Sequence, residues 1–361
     1  MKALFFLLDG ETNASSRHRV LQYFPFLRRS GIEPFASRPV PEIVYQRLVE
    51  CSRRGVRDKA IFYSLFLACR VFDVLRADRF DVVVIQRDLF PFGPPVLERL
   101  LTRRNPRVVY DTDDATYLRP VFTPNTVFQR LRRFDKVADV VSRAAWVSAA
   151  TEPIAAWARK YNPAVSVVPM AVDLAEYDRI RRQPAASDRV VLGWAGTAGG
   201  LSYLQSLTPV LRDLAQRHPI QVRVISGGYH RACLQGLDVQ ARPWRAETAL
   251  QELAHFDIGL VPLADTPFER AKFPFKLLQY LALGVPAVSA RVGVAQTVIS
   301  HGQNGLLASS PEAWCAALES LIADADLRRR LAAAGRQTVE ANYTLERVGP
   351  LLADGLAHAA S

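Results

Sequence analysis

The interpretation of this chain depends first on one stretch, Phe268-Glu269-Arg270-Ala271-Lys272-Phe273-Pro274-Phe275-Lys276-Leu277-Leu278-Gln279-Tyr280-Leu281-Ala282-Leu283-Gly284-Val285-Pro286-Ala287-Val288. It joins a charged loop, an apolar segment, a glycine and the start of a strand. Pro274 suits the first turn of a helix, where its missing N–H would have no partner anyway, and Gly284 suits the position just past a helix end. The stretch therefore predicts a helix over Phe275–Leu283 that begins directly after the charged loop.

Two lysines, Lys272 and Lys276, flank the start of this predicted helix. The unpaired backbone N–H groups and the dipole of a helix N-terminus already favour an anion there. We therefore predict that a diphosphate binds at this point and that the rest of the chain brings a second substrate to it.

The composition is that of a globular protein. The 361 residues suffice for two domains of ordinary size, and 49% apolar with 22% charged residues excludes a disordered chain. The first apolar run has six residues and is followed by Asp9-Gly10, so it predicts a strand, and we expect no signal peptide. No run approaches the roughly 20 residues that span a bilayer, so we expect a cytoplasmic protein, soluble or peripheral at the membrane. Four widely separated cysteines match no metal spacing and indicate incidental thiols: Cys51, Cys69, Cys233 and Cys315.

The net charge of +11 is concentrated in the first half of the chain. Residues 1–180 hold 28 basic and 20 acidic side chains, and the remainder holds 18 and 15. Such an excess favours an acidic partner, such as anionic lipid or a phosphorylated acceptor, or else reflects an arginine-rich solvated surface. A nucleic-acid partner is disfavoured because it would rest on charge alone, without a binding motif.

Short apolar runs alternate with helical patterns along the whole chain, which predicts parallel sheets covered by helices. A polar segment between Asp173 and Arg189 has the composition of a linker. We therefore predict two Rossmann-like domains, residues 1–180 and 188–345, followed by a C-terminal helix, residues 346–361, that crosses back to the first domain.

The first half places polar side chains after its first strand. A helix is predicted over Ser16–Ser30, with Arg17 and Arg19 in its first turn, where basic residues oppose the helix dipole. Ligands of open α/β sheets bind outside the carboxyl ends of the strands, so this turn is a candidate acceptor site. Helix-surface arginines are the alternative interpretation. Arg87 follows the next predicted strand, Asp81–Gln86, at the same edge.

Three carboxylates, Asp111, Asp113 and Asp114, follow the predicted strand Val108–Tyr110. Crowded carboxylates raise one another's pKa unless a cation or a polar substrate intervenes. A metal site is one alternative, although no further acidic or histidine cluster accompanies them. We favour hydrogen bonding to sugar or acceptor hydroxyls, with Asp113 orienting the reacting hydroxyl.

A basic and apolar helical segment is predicted over residues 39–79. Arg53, Arg54, Arg57 and Lys59 precede a run of apolar residues that starts at Ile61. Such a pattern can lie in a membrane interface. Packing of the helix on its own sheet is the interpretation we favour.

The second half repeats the alternation of strands and loops. The strand Val190–Trp194 precedes a glycine-bearing loop, Gly196–Gly200, whose backbone N–H groups could approach a phosphate. This loop is neither the spaced dinucleotide fingerprint nor a P-loop, which disfavours a nicotinamide-dependent dehydrogenase. Two further strands end at polar or glycine positions: Val222–Ser226 before Gly227-Gly228, and Asp257–Pro262 before Leu263-Ala264-Asp265.

Four motifs stand out along the chain: Val167-Val168-Pro169-Met170-Ala171-Val172-Asp173, Gly193-Trp194-Ala195-Gly196, the stretch Lys276–Val288, and Gly302-Gln303-Asn304-Gly305-Leu306-Leu307. Together they resemble the GT-B glycosyltransferases of the large retaining family 4, also called group 1. The resemblance covers essentially the whole chain and is strongest from Val190 onward. It implies two sheets facing a central cleft, with a UDP- or GDP-sugar on the C-terminal domain. It also implies an acceptor, a glycan or a lipid-linked intermediate of cell envelope polysaccharide synthesis, on the N-terminal domain, and transfer without a cofactor or an obligatory metal.

The same resemblance exposes departures from the family pattern. Gln279 stands where the family usually has a glutamate for the donor ribose, and Ala271 stands where a second glutamate contacts the donor sugar. Glu269 or Asp265 could substitute for the second acid. Asp113 aligns roughly with a histidine that many members place near the reacting centre. An alternative to an active transferase is a catalytically impaired homologue that binds sugar nucleotides or glycans.

The predicted site has three groups of residues and no metal ligands. The predicted catalytic residues are Asp113, Lys272 and Lys276, of which the lysines would replace the family's missing diphosphate-binding arginine and lysine. The predicted donor-binding residues are Gly196, Thr197, Gly227, Asp265, Glu269, Pro274, Phe275, Leu278 and Gln279. The predicted acceptor-binding residues are Ser16, Arg17, Arg19, Arg87, Asp111 and Asp114.

Overall fold

The computed structural model describes residues 1–10, 13–41, 44, 56–119, 132–180, 189–227 and 234–361. Their contacts divide the chain into two compact units. The first unit is Met1–Ala171 with Leu345–Ser361, and the second is Val172–Thr344. Some predictions fall outside the described residues, namely those on Cys51, Arg53, Arg54, Gly228 and Cys233.

Each unit is built on a six-stranded, entirely parallel sheet. In the first unit the order is β2-β1-β3-β4-β5-β6, and in the second it is β12-β11-β10-β7-β8-β9. The strands are β1 (Lys2–Phe6), β2 (Glu33–Ser37), β3 (Val82–Gln86), β4 (Val108–Thr112), β5 (Trp146–Ala149), β6 (Val165–Val167), β7 (Val190–Ala195), β8 (Ile220–Ile225), β9 (Val239–Arg242), β10 (Ile258–Val261), β11 (Ala287–Ala290) and β12 (Leu306–Ala308).

Helices connect the strands. A π-helical turn, Ser16–Val20, and a 3₁₀ turn, Leu21–Tyr23, lead into the first α-helix, so the single helix predicted over Ser16–Ser30 is divided in three. The α-helices are α1 (Phe24–Arg29), α2 (Val56–Leu75), α3 (Val96–Arg104), α4 (Lys136–Arg143), α5 (Glu152–Ala158), α6 (Leu174–Asp178), α7 (Leu201–Ser206), α8 (Thr208–Arg217), α9 (Ala249–Ala254), α10 (Pro267–Ala271), α11 (Phe275–Ala282), α12 (Ala295–Val298), α13 (Pro311–Ala323), α14 (Ala325–Asn342) and α15 (Leu345–Ala360).

The predicted α/β class with two parallel sheets is confirmed. In each sheet the chain builds outward from its first strand to both sides, so β1 and β3 flank one reversal of strand order and β7 and β10 flank the other. Ligands of such sheets bind at the carboxyl ends of the strands that flank this reversal. The loops that carry most of the predicted site residues follow β1, β3, β7 and β10, which places them at these two positions.

Three strands were not predicted, and all three lie at sheet edges: β2, β9 and β12. β2 and β9 alternate or expose their side chains, and β12 has only three residues. An edge strand has one neighbour and often one solvated face, so it lacks the continuous apolar run that marks a central parallel strand.

The first sheet is covered on both faces. On one face α15 packs through Val348, Leu352 and Leu356. On the other face α2, α3 and α4 contribute Val74, Leu101 and Val141. The C-terminal helix therefore belongs to the core of the first unit.

Aromatic rings press against two strands of the second sheet at glycine positions. A Cβ atom on Gly193 of β7 would lie 1.9 Å from the Phe256 ring, and one on Gly259 of β10 would lie 2.5 Å from Tyr280. The Tyr280 hydroxyl also accepts a hydrogen bond from the Ala195 backbone N–H at 3.0 Å. These contacts fix the second half of α11 relative to the carboxyl end of β7.

We expect Gly193→Ala to destabilise the second unit, because the added methyl group overlaps the buried Phe256 ring. Overpacking of this kind costs about 1–3 kcal/mol. Gly199→Ala is the matched control, since the nearest atom to its added Cβ is Thr197 Oγ1 at 3.9 Å. Thermal unfolding should show a lower midpoint for Gly193→Ala alone. Equal midpoints for the two variants would contradict this account.

Candidate functional site

A buried arginine, Arg70, holds the carboxyl ends of the first three strands of the first sheet. Its guanidinium donates hydrogen bonds to the carbonyl oxygens of Leu7, Ser37 and Leu89, which lie at or just beyond the ends of β1, β2 and β3. The Phe6 and Phe66 rings lie 5.5 and 5.1 Å from its carbon Cζ. Burial lowers the pKa of Arg70 to about 10, so the side chain still carries its charge at neutral pH.

A second buried arginine, Arg19, binds polar groups at the carboxyl ends of the other three strands of this sheet. It binds the Asp111 carboxylate of β4 with two nitrogens at 3.0 and 2.9 Å and donates to Ser148 Oγ of β5 at 2.9 Å. It also donates to the carbonyl oxygens of Val168 and Pro169, which follow β6. Burial disfavours the charge of Arg19, but the Asp111 carboxylate more than offsets this and raises the pKa of Arg19.

The prediction that Arg19, Asp111 and Ser16 contact an acceptor is corrected by this geometry. The side chains of Arg19 and Asp111 are 1% and 5% exposed. Ser16 is fully buried, and its hydroxyl bonds to the Asp9 carbonyl oxygen and to the Gln86 amide. These side chains have no surface left for a ligand, because the first turn after β1 lies inward over the sheet edge.

Arg87 neutralises the remaining two carboxylates of the acidic run. Its Nε lies 2.6 Å from Asp113 Oδ1, and its Nη2 lies 2.6 Å from Asp114 Oδ2. Arg87 has a left-handed backbone with φ of 64°, which a residue other than glycine adopts only at a cost. The cation that the three neighbouring carboxylates require is therefore supplied by the chain itself, from Arg19 and Arg87.

Asp113 is the centre of a hydrogen-bond network at this edge. Its Oδ2 accepts from Ser15 Oγ at 2.8 Å, and Gln86 Nε2 donates to the same hydroxyl at 3.0 Å. Burial raises the pKa of Asp113, but the Arg87 guanidinium and the Ser15 hydrogen bond outweigh it and lower the pKa to about 2. Asp113 is thus ionised at neutral pH, able to accept a hydrogen bond from a hydroxyl and too weak a base to remove a proton efficiently.

The remaining predicted acceptor residue, Arg17, is half-buried in the π-helical turn. Its Nη2 lies 3.4 Å from His18 Nε2. Sequence reasoning missed Ser15 and Gln86, although a glutamine at the end of an apolar strand is itself a signal.

In the second unit, a hydrogen bond joins α7 and α10, the helices that follow β7 and β10. Glu269 is 4% exposed, and its Oε1 accepts a hydrogen bond from the Tyr203 hydroxyl of α7. Its Oε2 is buried and has no hydrogen-bond partner among the described residues. Burial raises the pKa of Tyr203, and the Glu269 carboxylate raises it further. No sequence signal pointed to Tyr203.

The two predicted lysines have different surroundings. Lys276 Nζ donates to Gln279 Oε1 at 2.7 Å, and Gln279 Nε2 donates to the Tyr177 hydroxyl at 3.2 Å. Lys272 is half-buried at the end of α10, and its Nζ makes no hydrogen bond or ion pair with any residue in the described ranges. The chain therefore leaves Lys272 as the uncompensated cation just before the N-terminus of α11.

The other predicted donor residues differ in their access to a ligand. Leu278 is fully buried in the core, so the prediction that its side chain contacts the donor is corrected, and the Pro274 ring is buried as well. Asp265 forms an ion pair with Arg270 in which both side chains are more than half exposed. The donor-binding predictions for Phe275, which is half-buried, Thr197, which is exposed, and Gly227, whose added Cβ would meet nothing within 4 Å, stay predictions.

Two glycines of the second unit are required for close packing near these loops. A Cβ atom on Gly196 would lie 2.4 Å from the Trp194 ring. Gly293, with φ of 49°, brings the segment after β11 against α10, where a Cβ would lie 2.1 Å from the Arg270 carbonyl oxygen. No local sequence signal predicts this contact.

Among the described residues, no group of three or more His, Cys, Asp or Glu side chains is arranged to hold a metal ion. The helices in the described ranges are also too short or too polar to cross a membrane.

Comparison with known proteins finds a sequence match for one segment and a structural likeness for the whole fold. Residues 191–324 match the family model described as "Glycosyl transferases group 1". No curated protein matches the chain in sequence. In structure, the chain is similar to HepE of Anabaena in complex with UDP and glucose, with a TM-score of 0.69, 14% identity and 99% of each chain covered.

Two further structures show the same likeness. A glycosyltransferase from Rickettsia africae gives a TM-score of 0.70 at 13% identity, over 99% of this chain and 98% of the other. Sucrose-phosphate synthase of Thermosynechococcus elongatus gives 0.66 at 13%, over 98% of each chain. The predicted GT-B fold is confirmed by these likenesses. The family match covers residues 191–324, which lie in the second unit, and the structural likenesses, at 13–14% identity, show the fold alone.

We expect Asp113→Asn to destabilise the first unit in a pH-dependent way. The folded pKa of about 2 lies below the ordinary value of 3.8, so ionised Asp113 contributes stability that is complete above about pH 4 and is lost as the pH falls towards 2. The difference in unfolding free energy between wild type and variant should therefore shrink by roughly 2 kcal/mol across that range.

Urea denaturation of both proteins at several pH values measures this difference. Asp265→Asn is the control, because that carboxylate sits in an exposed ion pair, which contributes little. A constant difference for Asp113→Asn from neutral pH to the acid limit would show that the Arg87 contact does not stabilise the fold.

Proposed function

We propose that this protein is a retaining glycosyltransferase that moves a sugar from a nucleoside-diphosphate sugar to a hydroxyl group of a glycan or lipid-linked acceptor. The second unit would bind a UDP- or GDP-sugar, and the first unit would bind the acceptor, without a cofactor or metal. The observation that carries the proposal is Lys272, an uncompensated cation beside the N-terminus of α11, within the segment that matches group 1 glycosyltransferases. The complex of the similar HepE with UDP-glucose favours UDP as the nucleotide.

The proposed reaction breaks the bond between the anomeric carbon of the sugar and a phosphate oxygen, so the leaving diphosphate gains negative charge. Lys272, the backbone N–H groups at the start of α11 and those at Gly196-Thr197 would bind this charge more strongly in the transition state than in the substrate. This difference in binding is what accelerates the reaction.

Two polar side chains of the second unit would position the donor. Glu269 Oε2 is buried and has no hydrogen-bond partner among the described residues, so it would accept a hydrogen bond from a hydroxyl of the transferred sugar only once the side chain turns towards the donor. Gln279 uses one acceptor site and one donor site on Lys276 and Tyr177, which leaves one of each for the donor ribose. Gln279 would thereby serve where the family usually has a glutamate.

In the first unit, the acceptor hydroxyl would be oriented by a carboxylate rather than deprotonated by it. Asp113 has a side chain 11% exposed and is held by Arg87 and Ser15, so its position is set before a ligand binds. Asp114, 19% exposed, would offer a second acceptor oxygen beside it. The basic surface of this unit would favour a phosphorylated or lipid-linked acceptor, with the protein in the cytoplasm or peripheral at the membrane.

We expect Lys272→Ala to lower turnover by about 10²–10³-fold, as typically follows the loss of one hydrogen-bond donor to a developing oxyanion. Lys276→Ala should also lower turnover and in addition raise KM, because it removes the Lys276–Gln279 contact. Arg330→Ala, an exposed cation on α14, is the control and should leave both parameters unchanged. Steady-state rates with the active donor measure these effects. Wild-type turnover in folded Lys272→Ala would refute the assignment.

The alternative function is a sugar-nucleotide or glycan binding protein that has lost catalysis. The observation that favours it is the absence of both usual acids, at Ala271 and Gln279. Thermal-shift measurements with UDP-, GDP-, ADP- and CMP-sugars identify the donor in either case. An enzyme should then hydrolyse that donor slowly without acceptor, whereas a binding protein should only be stabilised by it.

A further inference from the structure

The helix α2 concentrates exposed apolar side chains. Nine large apolar residues are exposed in the described part of the chain, and five of them lie on this one helix: Ile61, Leu65, Leu67, Phe72 and Leu75. Phe72 is 57% exposed. Single exposed apolar residues are ordinary, but a contiguous group marks an interaction surface.

Four of these residues form a stripe on the outward face of the helix. Ile61, Leu65, Phe72 and Leu75 are separated by four, seven and three residues, which is the spacing of one helical face. The opposite face packs on the first unit through Phe66, Arg70 and Val74, all buried. The core-facing side is therefore already satisfied, and the outward stripe needs a second apolar environment.

Arginines flank both ends of the stripe. Arg57 precedes it and Arg76 follows it, and both are exposed. The Arg76 guanidinium lies 4.9 Å from the centre of the Phe72 ring. Of the two acids of the helix, Asp73 accepts a hydrogen bond from Ser37 Oγ of β2 at 2.6 Å, and Asp58 is half-buried in the first turn.

The charges decide between two occupants of this surface. If a second copy of the chain packed its α2 antiparallel on this one, the Arg57 end of one helix would meet the Arg76 end of the other, and like charges would oppose each other. An anionic bilayer surface instead offers negative head groups to both ends while the apolar stripe enters the acyl boundary. Arginine side chains can reach head groups from such a position.

We propose that the outward face of α2 docks the protein on an anionic lipid bilayer, with Ile61, Leu65, Phe72 and Leu75 inserted and Arg57 and Arg76 on the head groups. The proposal rests on the proposed function in one respect only: docking would bring the enzyme to a lipid-linked acceptor. Lipid binding itself requires no transfer reaction.

Co-sedimentation of the full chain with vesicles of phosphatidylcholine, with or without phosphatidylglycerol, tests the proposal. We expect binding to the anionic vesicles that weakens as salt is raised. The double substitution Leu65→Ser with Phe72→Ser should weaken it roughly tenfold or more. Arg57→Gln and Arg76→Gln should each weaken it about fivefold. All these side chains are exposed, so the variants should keep the wild-type thermal midpoint.

Two exposed apolar residues outside α2 give matched controls, Val96→Ser and Leu351→Ser, which should bind vesicles as the wild type does. The proposal is overturned if the wild type ignores anionic vesicles or if the double variant binds them normally. It is also overturned if the double variant changes the oligomeric state without vesicles, since the stripe would then contact a second copy. Donor hydrolysis in vesicle-free solution should be the same in all variants, and its absence in the wild type would count against the proposed function alone.

Discussion

Two buried guanidinium groups are the interaction on which the first unit depends. The carboxyl end of a parallel strand leaves carbonyl oxygens and loop polar groups that burial would make costly. Arg70 satisfies such groups on β1 to β3, and Arg19 satisfies them on β4 to β6. All six strand ends are thereby tied into one polar edge. The strand ends from which the loops leave this edge are therefore held in place. This allows Asp113 and Arg87 to keep a defined geometry there.

In the second unit, aromatic side chains make the contacts that hold the carboxyl ends of the strands. Tyr280 fills the space over Gly259, and its hydroxyl accepts the last N–H group of β7. Tyr203 of α7 then links that helix to Glu269 of α10. Because these contacts are made by rings and a carboxylate, no buried arginine of the kind found in the first unit competes for an anion at this edge, among the residues described. Lys272 is left without a hydrogen bond or ion pair to any residue in the described ranges.

Residues of the same type therefore differ in burial according to where tertiary contacts place them. Arg17 and Arg19 are two residues apart, yet Arg19 is inside the sheet edge and Arg17 is half-buried beside His18. Asp111 is likewise a buried partner of Arg19, whereas Asp113 and Asp114 keep some exposure. The sequence placed these residues at the carboxyl edge of the sheet but could not distinguish buried from partly exposed side chains, since residues two apart on a twisted turn can point in opposite directions.

The sequence alone determined the features that depend on neighbouring residues: the alternation of strands and helices, the parallel sheets, the helix that begins at Phe275, and the left-handed turn at Gly284. Tertiary structure decided the features that join distant residues. Arg19 and Asp111 are 92 residues apart in the chain, and Tyr203 and Glu269 are 66 apart. The edge strands β2, β9 and β12 also became apparent only in the folded sheets. Periodicity and turn chemistry are local and can be read from a window of residues, whereas a pairing across the sheet depends on how the whole chain packs.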